Sequence, residues 1–109
     1  MAEDLLRLLD LAPDWDSYGA RRIDADAVRK ALSILAHHDY RGTLPVAVPT
    51  TLGGVQLEWG RADDGVELEV EPDGTIGVLV DINGEVTEVE TTDVDHPMIQ
   101  RSLSWARQL

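Results

Sequence analysis

The chain has 109 residues, with 21 Asp and Glu against nine Lys and Arg, a formal net charge of −12 and no Cys. That length predicts one α+β domain over residues 1–109, since two independent cores would bury too little surface at this size. The missing Cys excludes disulfides, thiolate zinc sites, iron–sulfur clusters and Cys nucleophiles. The acidity opposes binding to nucleic acid or to an anionic membrane surface, both of which require basic contacts.

Glu3 and Asp4 precede the first leucines without a basic segment or a long apolar stretch, so neither a signal peptide nor a membrane span is expected. A cytoplasmic location fits the absence of Cys. Glu3 to Leu11 reads as a short helix, with Leu5, Leu8 and Leu9 on one face, ended by Pro13. After a polar loop containing Trp15 to Ala20, Asp24 is placed to cap a second helix running to about His38, with Val28, Ala31, Leu32 and Leu35 at helical spacing. From Val46 the apolar period changes to two. Val46 and Val48 open a short strand that stops at Pro49. Val55, Leu57 and Trp59 then alternate with Gln56 and Glu58, and Val66, Leu68 and Val70 alternate with Glu67, Glu69 and Glu71. Turns are expected over residues 61–65, at Pro72-Asp73-Gly74 and at Asn83-Gly84, the last two being hairpin signals. Ile76, Val78, Val80 and Ile82 form the inner side of a further strand, and Glu85 to Thr91 a charged edge strand. A third helix begins near Asp95 or His96 with Pro97 in its first turn; Ile99, Leu103 and Ala106 form one stripe, Met98, Trp105 and Leu109 a neighbouring one. The expected architecture is two N-terminal helices, an antiparallel four- or five-stranded meander with helices on one face, and a C-terminal helix. With no Phe present, each of the three Trp is expected to anchor packing.

The charge is segregated. Residues 58–95 hold thirteen acidic residues and one basic residue, Arg61, and the rest of the chain holds eight of each sign. If the meander forms, Glu58, Glu67, Glu69, Glu71 and Asp81 leave the sheet on one side. Such a face is either a docking surface for a basic protein or a solvated face that keeps a small domain soluble. A second candidate joins the loop containing Trp15, Asp16 and Tyr18 to the Gly53-Gly54 turn before Trp59. Aromatics beside a carboxylate and paired glycines there can line a pocket, or the Trp can plug the core while Asp bonds local backbone. The glycine turn has no lysine and no following helix, which excludes a phosphate loop. His37 and His38 at one helix end and Asp93, Asp95 and His96 at the start of another would form a metal site only if those ends meet; helix capping explains them without one. No Ser sits in a strand–turn–helix elbow, so no catalytic residue, metal or cofactor is assigned.

Trp15-Asp16-Ser17-Tyr18-Gly19-Ala20 and Pro49-Thr50-Thr51-Leu52-Gly53-Gly54-Val55-Gln56-Leu57-Glu58-Trp59 together resemble the paired motifs, W-D-x-Y-G-A and P-T-x-x-G-G-V-x-L-E-W, of a group of small, largely uncharacterised bacterial and phage proteins. The resemblance covers roughly residues 13–82. It implies a bacterial or phage origin, supplies no catalytic residue, and implies that Trp15, Tyr18 and Trp59 meet in space. The expectation is therefore a non-enzymatic module that binds a basic partner through the acidic face, of antitoxin, immunity, anti-defence or adaptor type. The alternative is a small-molecule binding domain or minor enzyme at the Trp15–Tyr18 loop. A homo-oligomer using the outward Leu79 is a third option.

Overall fold

Alternation of apolar and polar side chains builds the sheet. The computed structural model describes residues 2–61 and 64–109. Five strands, β1 (Val46–Pro49), β2 (Val55–Arg61), β3 (Asp64–Val70), β4 (Ile76–Ile82) and β5 (Glu85–Thr91), pair antiparallel in chain order. The helices are α1 (Ala2–Arg7), continued by a 3₁₀ turn at Leu8–Asp10, α2 (Ala25–His37) and α3 (Pro97–Ala106). The fold class is thus α+β with a five-stranded antiparallel sheet. The expected N-terminal helix is shorter than its sequence suggests: the α-helical part stops at Arg7, the chain tightens, and Leu11 turns extended (φ −69°, ψ 129°) ahead of Pro13. The expected turn at 61–65 falls partly on residues 62 and 63, outside the described residues.

The register puts Ala47, Leu57, Leu68, Val78 and Val89 in one inward row, with Val55, Val70 and Ile76 in the next. Val28, Ala31, Ile34 and Leu35 of α2 and Ile99, Leu103 and Ala106 of α3 close over these rows in a single apolar cluster. Each large aliphatic fully buried there contributes on the order of 1.5–3 kcal/mol. Ile34 faces the core where Leu32 was expected, and Leu32 is half-buried. α3 rests on β3 and β4; in its neighbouring stripe Met98 packs against the edge of the core, while Leu109 is exposed and Trp105 is 42% exposed. Of the three Trp, only Trp59 is fully enclosed; Trp15 is half-buried.

Helix ends follow local chemistry. The Asp24 carboxylate accepts from the Asp26 amide at 3.2 Å and caps α2. Asp39 takes a left-handed conformation (φ 48°) after α2, with Asp39 N–H donating to Ala36 O (3.0 Å) and Tyr40 N–H to Leu35 O (2.9 Å). This pair of bonds is a Schellman closure with Asp where Gly is usual. α3 is capped by His96, whose Nδ1 accepts from the Met98 amide at 3.0 Å. Asp95 instead pairs with His37 Nε2 at 2.5 Å, and His38 Nε2 bonds Val94 O at 2.8 Å, so the two helix ends do meet. Among the described residues, no three His, Asp or Glu side chains are grouped to hold a metal ion. Asn83 and Gly84 both have positive φ (55° and 81°), the conformation a two-residue hairpin of this hand demands.

Candidate functional site

The outward face of the sheet is read from the same register. One row across it is Val46, Glu58, Glu67, Leu79 and Glu88; the next is Val48, Gln56, Glu69, Gly77 and Glu90; a third is Gly60, Gly65, Asp81 and Val86. Glu58 and Glu67 stand directly opposite each other on neighbouring strands, a like-charge pair that destabilises the sheet. No Lys or Arg occurs in these rows. An open groove of about 360 Å³ runs between Glu67 and Glu69 on one side and Glu88 and Glu90 on the other, with Gly77 and Leu79 between. A second groove beyond Leu79 is lined by Glu58, Glu67, Asp81 and Val86, with Arg61 the basic residue on it.

The carboxyls raise one another's proton affinity. Burial, and then the charges of Glu58 and Glu88, hold Glu67 above the ordinary carboxylate range. Glu69 is pushed up to about 7, first by burial, then by the neighbouring Glu71 carboxyl and the charges of Glu67 and Glu90.

Glu71 departs from the wetted position that alternation assigns it. It follows β3 on the same side as Glu67 and Glu69, yet is only 8% exposed, and both carboxylate oxygens are buried without a hydrogen-bond partner. The cause is Gly54, its neighbour across the β2–β3 ladder: a Cβ at position 54 would lie 2.6 Å from Glu71 Oε1 and would also strike Val70 O. The glycine leaves a hollow into which the carboxylate folds. Glu69 is near enough for a carboxyl–carboxyl hydrogen bond. When both groups are ionised neither has a proton to donate, which leaves the Glu71 oxygens unpartnered. Asp81 also keeps one oxygen, Oδ1, buried and unpaired.

The segment that follows the Trp15–Tyr18 loop, residues 21–24, adjoins the glycine turn through backbone. Arg21 N–H donates to Thr51 O (2.9 Å) and Asp24 N–H to Gly53 O (2.8 Å). Gly53 (φ 92°) is packed so tightly that a Cβ there would be 2.8 Å from Arg22 O. Asp16 Oδ1 accepts from the amides of Tyr18 (2.8 Å) and Ala20 (3.1 Å), and Asp14 Oδ1 from Gly19 (2.5 Å), so both carboxylates fix the loop. The Trp15 Nε1–H is buried with no acceptor. Tyr18 does not meet Trp59: its ring is 92% exposed. The aromatic beside Trp59 is Tyr40, in an edge contact with centroids 5.5 Å apart, and Trp59 Nε1–H donates to Thr43 O at 2.8 Å. Nothing local in the sequence marks Tyr40 as that partner; the Schellman closure at Asp39 is what turns it back onto the sheet.

No protein-family model, curated protein or solved structure matches the chain. Among the described residues, no helix is long and apolar enough to cross a membrane.

Proposed function

We propose that this protein is a non-enzymatic interaction module that docks a basic protein partner on its outward sheet face, in an antitoxin, immunity, anti-defence or adaptor type of role. The observation that carries this is the rows of carboxylates, Glu58, Glu67 and Glu88 beside Glu69 and Glu90, with no basic side chain among them. An arrangement that weakens the sheet by like-charge repulsion is relieved when a cationic surface covers it. Val46, Leu79 and Val86 on the same face supply apolar contact between the charges.

Affinity capture from the native host tests the proposal, comparing the wild type with a Glu58→Gln, Glu67→Gln, Glu88→Gln variant under rising salt. Capture of a basic protein by the wild type, weakened by salt and lost in the variant, is expected. Equal capture by both, insensitive to salt, would refute it.

A small-molecule site at the Trp15–Tyr18 loop and Gly53–Gly54 turn is the second proposal. It draws support from the Trp15 indole N–H, a buried donor with no acceptor. Ligand-induced change in Trp fluorescence that disappears in Asp16→Ala would favour it over the docking face.

A further inference from the structure

Glu71 is the most unusual polar group on the face. It is more than nine-tenths buried, lacks any partner for either oxygen, and lines the end of the groove that Glu67, Glu69, Glu88 and Glu90 border. A buried carboxylate in that condition costs stability unless a cation or donor joins it. We infer that the Glu69–Glu71 end of this groove is the seat for one arginine guanidinium of the partner. The inference rests on the docking role of the face and names the side chain that anchors it.

The chemistry selects the guanidinium. Glu69 near the end of β3 and Glu71 just beyond it present several acceptor positions in a small volume, and guanidinium offers five donors in a rigid planar fork. It is also less strongly hydrated than ammonium, so entering a largely buried site costs it less. The planar fork also matches the geometry of carboxylates, which it can engage through two parallel N–H···O bonds.

Seating the cation expels a proton. The groups facing the seat are Glu67 on β3 and Glu88 and Glu90 on β5, all acidic, while the β4 residues of the groove, Gly77 and Leu79, carry no charge. Of the cations on adjoining elements, Lys30 on α2 donates to Gly74 O at 2.8 Å. Near pH 6 Glu69 holds a proton, which passes to bulk water as the guanidinium takes its place between the two carboxylates.

Calorimetric titration of the whole protein with a hexa-arginine peptide, at pH 6 and pH 8 and in two buffers of different ionisation enthalpy, tests this. With Glu69 at about 7, binding should tighten about tenfold between those pH values and release close to one proton at pH 6. Glu69→Gln, shown to be folded by its thermal melt, should abolish the pH dependence, and Glu71→Gln should weaken binding and reduce the response below tenfold; Glu58→Gln should weaken binding and keep the response in full. Hexalysine should bind more weakly and without the tenfold response. Salt-sensitive binding with equal affinity at both pH values, a tenfold response that survives Glu69→Gln, or an affinity unchanged by Glu71→Gln overturns the seat while leaving the docking face standing. Equal behaviour of hexalysine overturns the guanidinium assignment. Absence of salt-sensitive binding at either pH contradicts both the seat and the face.

Discussion

Gly54 and Glu71 define each other. The glycine lacks the Cβ that would collide with the carboxylate and with Val70 O, and the carboxylate occupies the space that absence creates. Gly54→Ala forces either the backbone or Glu71 to move, and should destabilise by about 1–3 kcal/mol in denaturant titration, as overpacking does. Glu71→Met removes an unpaired buried carboxylate and keeps the side chain's length. It should stabilise by roughly 1–3 kcal/mol at pH 8, where the carboxylate has no compensating proton to share. A loss of stability in Glu71→Met would mean that the carboxylate has a partner in the folded state. Under the proposed docking role, the stability this group costs is traded against function. Alternation along β3 places Glu71 outward correctly. Its burial is set by Gly54 across the ladder, seventeen positions away along the chain, and no local pattern contains that information.

At the level of elements, the strands and their turns are legible because each rests on a local signal. Val66, Leu68 and Val70 against Glu67 and Glu69 fix which side of β3 is buried, and Asn83-Gly84 fixes the β4–β5 hairpin. Helix ends are legible where a side chain caps them locally, as at Asp24. They are obscure where tertiary contacts decide: Asp95 suits a cap by residue type but is drawn to His37 on α2, and His96 takes the cap. The end of α2 near His38 is legible, but the way it closes is not, because Asp39 adopts a conformation that glycine would mark in sequence. Asp39→Gly relieves the left-handed Cβ strain and should stabilise the fold by up to about 1 kcal/mol in thermal unfolding. The Asp39–Arg41 pair it removes is highly exposed and offsets little of that gain. A destabilised Asp39→Gly would instead assign the closure to the Asp side chain.

For the whole molecule, the concentration of acid in residues 58–95 and its display on one sheet face give stability an unusual pH dependence. Glu69 has a folded value of about 7 against 4.5 ordinarily, so between these the folded state binds more protons than the unfolded chain. Its contribution is therefore complete below about pH 4.5 and is lost as pH rises through about 7. Glu67, also raised, acts in the same direction. Asp73, held low chiefly by the Thr75 amide, acts oppositely but only in more acidic solution. The melting temperature should fall between pH 5 and pH 8, and Glu69→Gln should flatten that fall; an unchanged slope would show that Glu69 titrates normally.

Backbone amide shifts, followed by NMR as hexa-arginine is added at pH 8, test most directly whether this surface receives a basic partner. If it does, the largest changes fall on β2 to β5 around Glu58, Glu67, Glu69, Glu88 and Glu90, and at Gly54. Changes centred on the Trp15–Tyr18 loop or on the exposed side of α3 around Trp105, with the acidic rows silent, would contradict the docking role.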